Sequence, residues 1–310
     1  MGAKNILVMG GSYFAGRSFV EHLLKEKDVK IFTFNRGNIP LNMKEVTELH
    51  GDRTDIDSIK NIPLMNWDVL VDFCAYTPDD IKKVIQFVPG KIKQYIFIST
   101  TSVYDHSSTL PLDENAKTVN TPQPELGEYA EYGLDKIKAE RYLEKVCLEK
   151  SIPWTILRPT SIYGKFNYAP REEYFFDLIE KNETIIIPEN DLALFTFIFV
   201  EDFAKIILNC MEKQQVYNQI FNVVSPEYFS YKKYIETLEV VTEKNIQTRP
   251  KSFAKIIEER IPLPFPIDEH QIYSGNKLDK VLDFPYTPLS VGLKKTYKFY
   301  KFLKNVKRGQ

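Results

Sequence analysis

The chain is poor in cysteine and histidine. Cys74, Cys147 and Cys210 are the only three cysteines in 310 residues. They are widely spaced and form no Cys-x-x-Cys, which argues against a disulfide framework or a thiolate zinc site and suits reduced thiols in a cytoplasm. The four histidines, His22, His50, His106 and His270, show no ligand spacing, so no metal is expected. Net charge is nearly absent as well: Lys and Arg total 41 against 42 Asp and Glu, a balance of −1. Without a global basic field, no nucleic-acid partner is expected. No spanning apolar run and no secretory signal are seen, and Ile6 stands where a myristoylation signal needs Ser or Thr. The expectation is a cytoplasmic protein with no membrane partner. Internal repeats and low-complexity stretches are also missing.

What is present is an ordinary globular composition, 43% hydrophobic and 27% charged, in a chain long enough for one large core and a smaller lobe. Near the start, the apolar run Ile6 to Met9 is followed by Gly10, Gly11 and Gly16, then by a helix carrying Phe19, Val20, Leu23 and Leu24. Strand, glycine turn and helix form a dinucleotide-binding arrangement: glycines let the backbone approach a pyrophosphate, and the helix N-terminus faces its charge. Ser12, Tyr13 and Phe14 complete this loop, with Tyr13 at the middle position of Gly-x-x-Gly-x-x-Gly. The bland alternative is a tight turn between strand and helix.

A second apolar run, Val29 to Phe34, ends in Asn35-Arg36-Gly37. No carboxylate stands there to accept from an adenosine ribose. Arg36 suits a 2′-phosphate, which favours NADP over NAD, unless it is a solvated turn arginine. Asp52, followed by Arg53, reads equally as an adenine contact or as an acid at a helix start.

Tyr132 and Lys136 share one face of a helix expected from about Glu128 to Lys150. An ammonium beside a phenol favours the phenolate and brings it towards a range useful for proton transfer. Such a pair alone is weak evidence, since Tyr-x-x-x-Lys arises by chance on many helices. Strands alternate with helices up to Arg158, which predicts a doubly wound parallel sheet. Thr77-Pro78-Asp79-Asp80 reads as a capped helix start. Residues 1–165 plus 195–224 are expected to form the sheet domain, and 166–194 plus 225–310 a smaller, mostly helical substrate lobe. Lys294 to Arg308 is locally basic, with Leu293, Tyr297, Tyr300 and Leu303 as an apolar stripe, and reads as a surface helix.

Taken together, these motifs resemble the extended short-chain dehydrogenase/reductase superfamily, the group that includes NAD(P)-dependent epimerases and dehydratases. Tyr95 to Tyr104 resembles the strand whose end carries the catalytic hydroxyl. Leu157-Arg158-Pro159-Thr160-Ser161-Ile162-Tyr163-Gly164, Phe199 to Ala204, Phe221-Asn222-Val223 and the segment from Asn276 to Phe284 follow in the order of that pattern. Gly10 to Gly16 with Phe34 to Gly37 is similar to an atypical branch with a "GGTRFLG…FNRG" signature, which includes chloroplast stem-loop-binding proteins and also lacks the middle glycine.

The resemblance implies a Rossmann-like fold, NADP or NAD as cofactor, and Tyr132, Lys136 and Thr100 as the catalytic residues. Besides the glycine loop, Asn35, Arg36, Asp52 and Arg53, it implies cofactor contacts at Phe73, Cys74, Ala75, Ser99, Tyr132, Lys136, Pro159, Ser161 and Ile162. A small-molecule substrate would meet Tyr76, Thr101, Ser102, Arg171, Tyr174 and Phe195. Phe195 occupies the position where nucleotide-sugar enzymes of the family carry an arginine for the diphosphate. Either Arg171 or Arg249 supplies that charge, or the substrate is not a nucleotide sugar. A homodimer is expected through helices near Asp79 and Glu128, with Ile81, Val84, Ile85 and Val88 as the apolar face. The functional expectation is an epimerase, dehydratase or reductase acting on a hydroxyl or carbonyl of a sugar-like or natural-product substrate. The alternatives are an RNA-binding or scaffold protein and an NADP-sensing regulator on the same fold.

Overall fold

The computed structural model describes residues 2–169 and 171–308. Its first part runs β1 (Lys4–Met9), α1 (Phe14–Leu23), β2 (Val29–Asn35), β3 (Val46–His50), α2 (Ile56–Lys60), β4 (Val69–Asp72), α3 (Pro78–Phe87), β5 (Tyr95–Ile98), α4 (Tyr132–Glu149) and β6 (Trp154–Pro159). There follow β7 (Ser161–Tyr163), α5 (Arg171–Glu180), β8 (Ile185–Pro188), β9 (Phe197–Phe199), α6 (Val200–Cys210) and β10 (Gln219–Val223). The chain closes with α7 (Tyr231–Thr242), β11 (Thr248–Lys251), α8 (Phe253–Glu258), α9 (Asn276–Leu282) and α10 (Leu289–Arg308).

Seven strands form one parallel sheet in the order β3-β2-β1-β4-β5-β6-β10. Strands buried on both faces must be apolar throughout, and β4 and β5 are buried along their whole length. Phe19, Val20 and Leu23 of α1 and Phe203, Ile206 and Ile207 of α6 belong to one core cluster. Ile81 and Val84 of α3 and Leu143 and Cys147 of α4 belong to another. The strand order reverses between β1 and β4, and that reversal opens a crevice at the carboxyl ends of the strands.

The expected capped start of α3 is present in full. The Thr77 hydroxyl accepts from the Asp80 amide, Asp80 accepts from the Thr77 amide, and Pro78 holds the first helical position. The apolar face of the same helix corrects the basis for a homodimer. Ile81, Val84 and Val88 pack on the sheet and Ile85 stays half-buried, so most of the stripe is taken up inside one chain.

Helix α4 also differs from expectation, beginning at Tyr132 rather than near Glu128. A 3-10 turn over Pro124–Tyr129 precedes it, with Gly127 at φ 59° and ψ −120°. That conformation suits glycine and interrupts any continuous helix. Tyr132 therefore stands at the mouth of the helix, where side chains face the crevice.

After β6 the chain builds the second lobe around an aromatic core that includes Phe175, Phe197, Tyr234 and Phe265. Besides its helices the lobe holds the parallel pair β8–β11. The return expected at 195–224 divides in two: β9 pairs with β7, and only β10 rejoins the large sheet. Within 225–310, α9 places Leu278 in the core of the sheet domain rather than in that of the lobe. The acid of the Glu201-Asp202 pair ties the lobe down: Asp202 is buried and accepts from the Thr287 amide and hydroxyl at 2.6 and 2.8 Å. On α10, Leu293 and Tyr300 are buried as expected, whereas Leu303 is 42% exposed. No helix among the described residues is long and apolar enough to cross a membrane.

Candidate active site

The glycine loop owes its shape to close approaches. A Cβ on Gly16 would lie 2.2 Å from the Gly10 carbonyl oxygen, so only glycine lets α1 start this near β1. Gly10 has φ +85° and sits against the Cys74 side chain. Tyr13 needs no glycine, since its backbone is extended at φ −139° and ψ 152°. The left-handed residue is Phe14, at φ 41°, an unusual conformation for a bulky side chain and one associated with binding loops. The Tyr13 ring stacks on Tyr168 with centroids 6.0 Å apart, and Phe14 meets Tyr168 edge-on.

At the end of β2, both side-chain polar atoms of Asn35 are buried without a hydrogen-bond partner. A buried unpaired amide is costly unless a ligand satisfies it. This residue lies at a strand end next to the loop, so the chain fits a dinucleotide there. Arg36 beside it is exposed. Asp52 accepts from the Thr54 amide and hydroxyl, both at 2.8 Å, and these bonds hold its carboxyl below the usual range.

Arg53 is committed elsewhere. Its guanidinium grips the fully buried Asp72 through bonds of 2.7 and 3.0 Å and donates to Cys74 Sγ at 3.0 Å. Asp72 also accepts from Tyr95 at 2.6 Å and from the Cys74 and Ala75 amides, both at 3.0 Å. Arg53 thus shapes the turn Phe73-Cys74-Ala75 from behind instead of presenting its charge to the crevice. Burial pushes the Cys74 thiol up to about 11, which leaves it protonated and unreactive.

Thr100 and Tyr132 meet at the carboxyl end of β5. Burial pushes the Tyr132 phenol up to about 12, while neighbouring Thr100 and the charge of Arg171 favour its ionised form. Thr100 also accepts from the Ser102 amide at 3.1 Å and donates to its hydroxyl at 3.2 Å. Lys136 lies one helical turn behind Tyr132 and is almost wholly buried. Its ammonium donates to the Ala75 carbonyl at 2.7 Å and the Ile98 carbonyl at 2.8 Å, and burial lowers it to about 8. The simple expectation of an ammonium depressing the phenol is corrected here: Lys136 is turned to the backbone, and the main influences on Tyr132 are burial, Thr100, Tyr168, Tyr76 and Arg171.

A buried polar chain that the sequence reading missed holds this arrangement. Ser99 donates to Glu140, which pairs with Arg158 through bonds of 3.0 and 2.5 Å. Arg158 donates to the Tyr104 hydroxyl at 2.9 Å, and Tyr104 donates to Asn222 at 2.6 Å. The chain links β5, α4, β6 and β10. Its signal was present in the spacing, because Glu140 lies four residues beyond Lys136 on the same helix face. Gly133 was missed too; a Cβ there would lie 2.3 Å from the Ser102 carbonyl oxygen.

The expected substrate residues separate into two groups. Tyr76 lies 6.2 Å from Tyr132 between ring centroids, Ser102 is exposed beside Thr100, and the Arg171 charge reaches the Tyr132 phenol. Thr101 is buried under them. Phe195, by contrast, is 2% exposed and stacks on Phe265 in the aromatic core of the lobe. It presents no surface to a substrate. Tyr174 packs edge-on to Phe175, Arg249 is exposed on β11, and Pro170 lies outside the described residues. Pro159 is buried at the end of β6, with Ser161 and Ile162 half-buried after it. No group of His, Cys, Asp and Glu among the described residues could hold a metal ion.

Known proteins are similar to this chain in sequence and in fold. The chain is 28% identical over 244 residues to chloroplast stem-loop binding protein of 41 kDa b from Arabidopsis thaliana, covering 74% of this chain and 60% of that protein. It therefore falls well short of the plant protein's length. It is 23% identical over 269 residues to the UDP-glucose 4-epimerase of Vibrio cholerae, covering 78% of this chain and 76% of that enzyme. Among solved structures, UDP-glucose 4-epimerase from Thermotoga maritima with UDP-glucose superposes with a TM-score of 0.76 at 18% identity, over 97% of this chain and 99% of that one. UDP-glucuronic acid 4-epimerase from Bacillus cereus, in complex with UDP-glucuronic acid and NAD, gives 0.75 at 18% identity, over 96% and 99%. These two likenesses show the fold. The profile of the NAD dependent epimerase/dehydratase family matches residues 6–223, and the chain belongs to that family.

Proposed function

We propose that the chain is an NAD(P)-dependent epimerase, dehydratase or reductase acting on a hydroxyl or carbonyl of a sugar-like or natural-product substrate. The observation that carries this reading is the placement of Tyr132 beside Thr100 at the carboxyl end of β5, with buried Lys136 one turn along the same helix. When bound, a nicotinamide dinucleotide supplies hydride chemistry. The residues suited to hold it are the Gly10–Gly16 loop, Asn35 and Arg36 at the adenosine end, and Phe73 to Ala75 and Lys136 towards the nicotinamide ribose. Tyr132 gives or takes the proton at the substrate oxygen, and Thr100 hydrogen-bonds the same oxygen. With its phenol pushed up to about 12, Tyr132 holds its proton at neutral pH and is ready to act as the acid.

A nucleotide sugar is the less favoured substrate. Phe195 offers no cation and no exposed surface, and a diphosphate left without a charge-assisted partner typically loses about 1.5–3 kcal/mol. Arg171, whose charge acts on the Tyr132 phenol, is the cation available to a charged substrate group in this reading. The homodimer no longer has the support of the α3 stripe, and light scattering at micromolar concentration decides it. A scaffold without chemistry has no need of Thr100, Tyr132 and Lys136 together.

The test is a panel of sugar nucleotides, keto sugars and simple ketones, followed by oxidation or reduction of the cofactor. Tyr132→Phe should lower turnover by about 10²–10⁴-fold and leave cofactor affinity nearly intact, because one hydroxyl is removed and little packing. An active substrate turned over at the wild-type rate by Tyr132→Phe would make the pair structural.

A further inference from the structure

Lys136 has more neighbours than two carbonyls. An ammonium carries three protons. Two are donated to Ala75 and Ile98. Two aromatic rings also approach the ammonium, with the Phe97 centroid 4.8 Å and the Tyr76 centroid 5.0 Å from Nζ. Such cation–π contacts satisfy a buried cation in part. The two rings differ in their freedom. Phe97 is fully buried within β5, whereas Tyr76 is 50% exposed. The Tyr76 backbone is held just before α3, where its amide donates to Asp80 at 2.9 Å. Only its side chain is therefore free to turn, and its hydroxyl has no hydrogen-bond partner among the described residues.

We propose that Tyr76 is a positioning residue for the cofactor: its ring caps the third donor direction of Lys136 and must turn aside before that ammonium can bond a ribose hydroxyl. The inference rests on the reading of Lys136 as a ribose contact. Turned aside, the ring stays next to Tyr132, 6.2 Å away in the present arrangement, and forms a wall of the substrate site. Tyr76 thereby links cofactor binding to the shape of the pocket that receives the substrate. Part of the affinity for cofactor is spent on displacing the ring.

Titration of NAD and NADP against wild type, Tyr76→Phe and Tyr76→Leu tests this. Tyr76→Phe keeps the aromatic face and should bind within about twofold of wild type. Tyr76→Leu loses the face, and cofactor should bind about 2- to 5-fold tighter, the range that loss of a cation–π contact of about 0.5–1 kcal/mol gives. The same change in a Lys136→Met background should give no tightening, since no ammonium remains to be uncapped. Cofactor affinity unchanged or weakened in Tyr76→Leu would overturn the proposal. So would tightening that persists without Lys136, which would make Tyr76 a steric obstacle only. Wild type that binds neither dinucleotide would overturn the cofactor reading of the site, and this proposal with it.

Discussion

At the scale of single residues, the site is governed by burial. Two titratable groups of the site, Tyr132 and Lys136, are pushed in opposite directions by the same desolvation: the neutral phenol is favoured and the ammonium disfavoured. The lysine offers a direct check. Its folded value of about 8 lies below the ~10.4 of an unfolded lysine. Between those values the unfolded chain binds more protons than the folded one. The burial cost is therefore present in full below pH 8 and is relieved as pH rises from about 8 to about 10.4. The melting temperature of wild type should accordingly gain on that of Lys136→Met across this window, with other titrating groups common to both. A constant gap would mean that the ammonium is not buried as described.

At the scale of elements, the geometry depends on how α4 is seated. Gly133 lets the helix approach the turn after Thr100, and Glu140 locks its axial position through Ser99 and Arg158. The Glu140–Arg158 pair is buried, and removing one partner of such a pair strands the other charge. Gly133→Ala is the sharper functional test, because the obstacle to its methyl group is backbone. The N-terminal turn of α4 must shift, and Tyr132 shifts with it. A misplacement of about 1 Å at a reacting group costs on the order of 10²-fold in rate. Turnover of Gly133→Ala should fall by that order, with cofactor affinity changing far less. Equal losses in both would point to general unfolding of the region.

At the scale of the whole molecule, the parallel sheet brings the glycine loop, the end of β2 and the Thr100 end of β5 to the carboxyl ends of neighbouring strands, though they come from residues far apart in the chain. The end of β2, where an acidic residue would favour NAD, carries Asn35 and Arg36 instead. Asn35 is buried with its amide unpaired, and Arg36 is exposed. NADP is expected to bind more tightly than NAD, and Arg36→Ala should cut the affinity for NADP by about tenfold, the scale of one exposed charge-assisted bond. NAD affinity should hardly change. An unaltered NADP/NAD ratio in the variant would remove Arg36 from cofactor selection.

Local features were legible in the sequence because their causes are local. The glycine spacing sets the first turn, Thr77 to Asp80 caps its own helix, and apolar runs flanked by turns read as buried strands. The Tyr132–Lys136 pair was visible for the same reason, as was the family. Other features required the tertiary structure, because they depend on partners distant in sequence. Arg53 was turned inward by Asp72, 19 residues away. The stripe on α3 has the same periodicity whether it meets a sheet or a second copy, and only the packed fold shows that the sheet takes it. Phe195 fits a substrate position by count but is drawn into the lobe by Phe265, 70 residues further on. Lys136 lies next to Tyr132 by helix geometry, yet it turns to the carbonyls of Ala75, in the turn after β4, and of Ile98, at the end of β5, since a buried ammonium needs acceptors that the neighbouring phenol alone cannot supply.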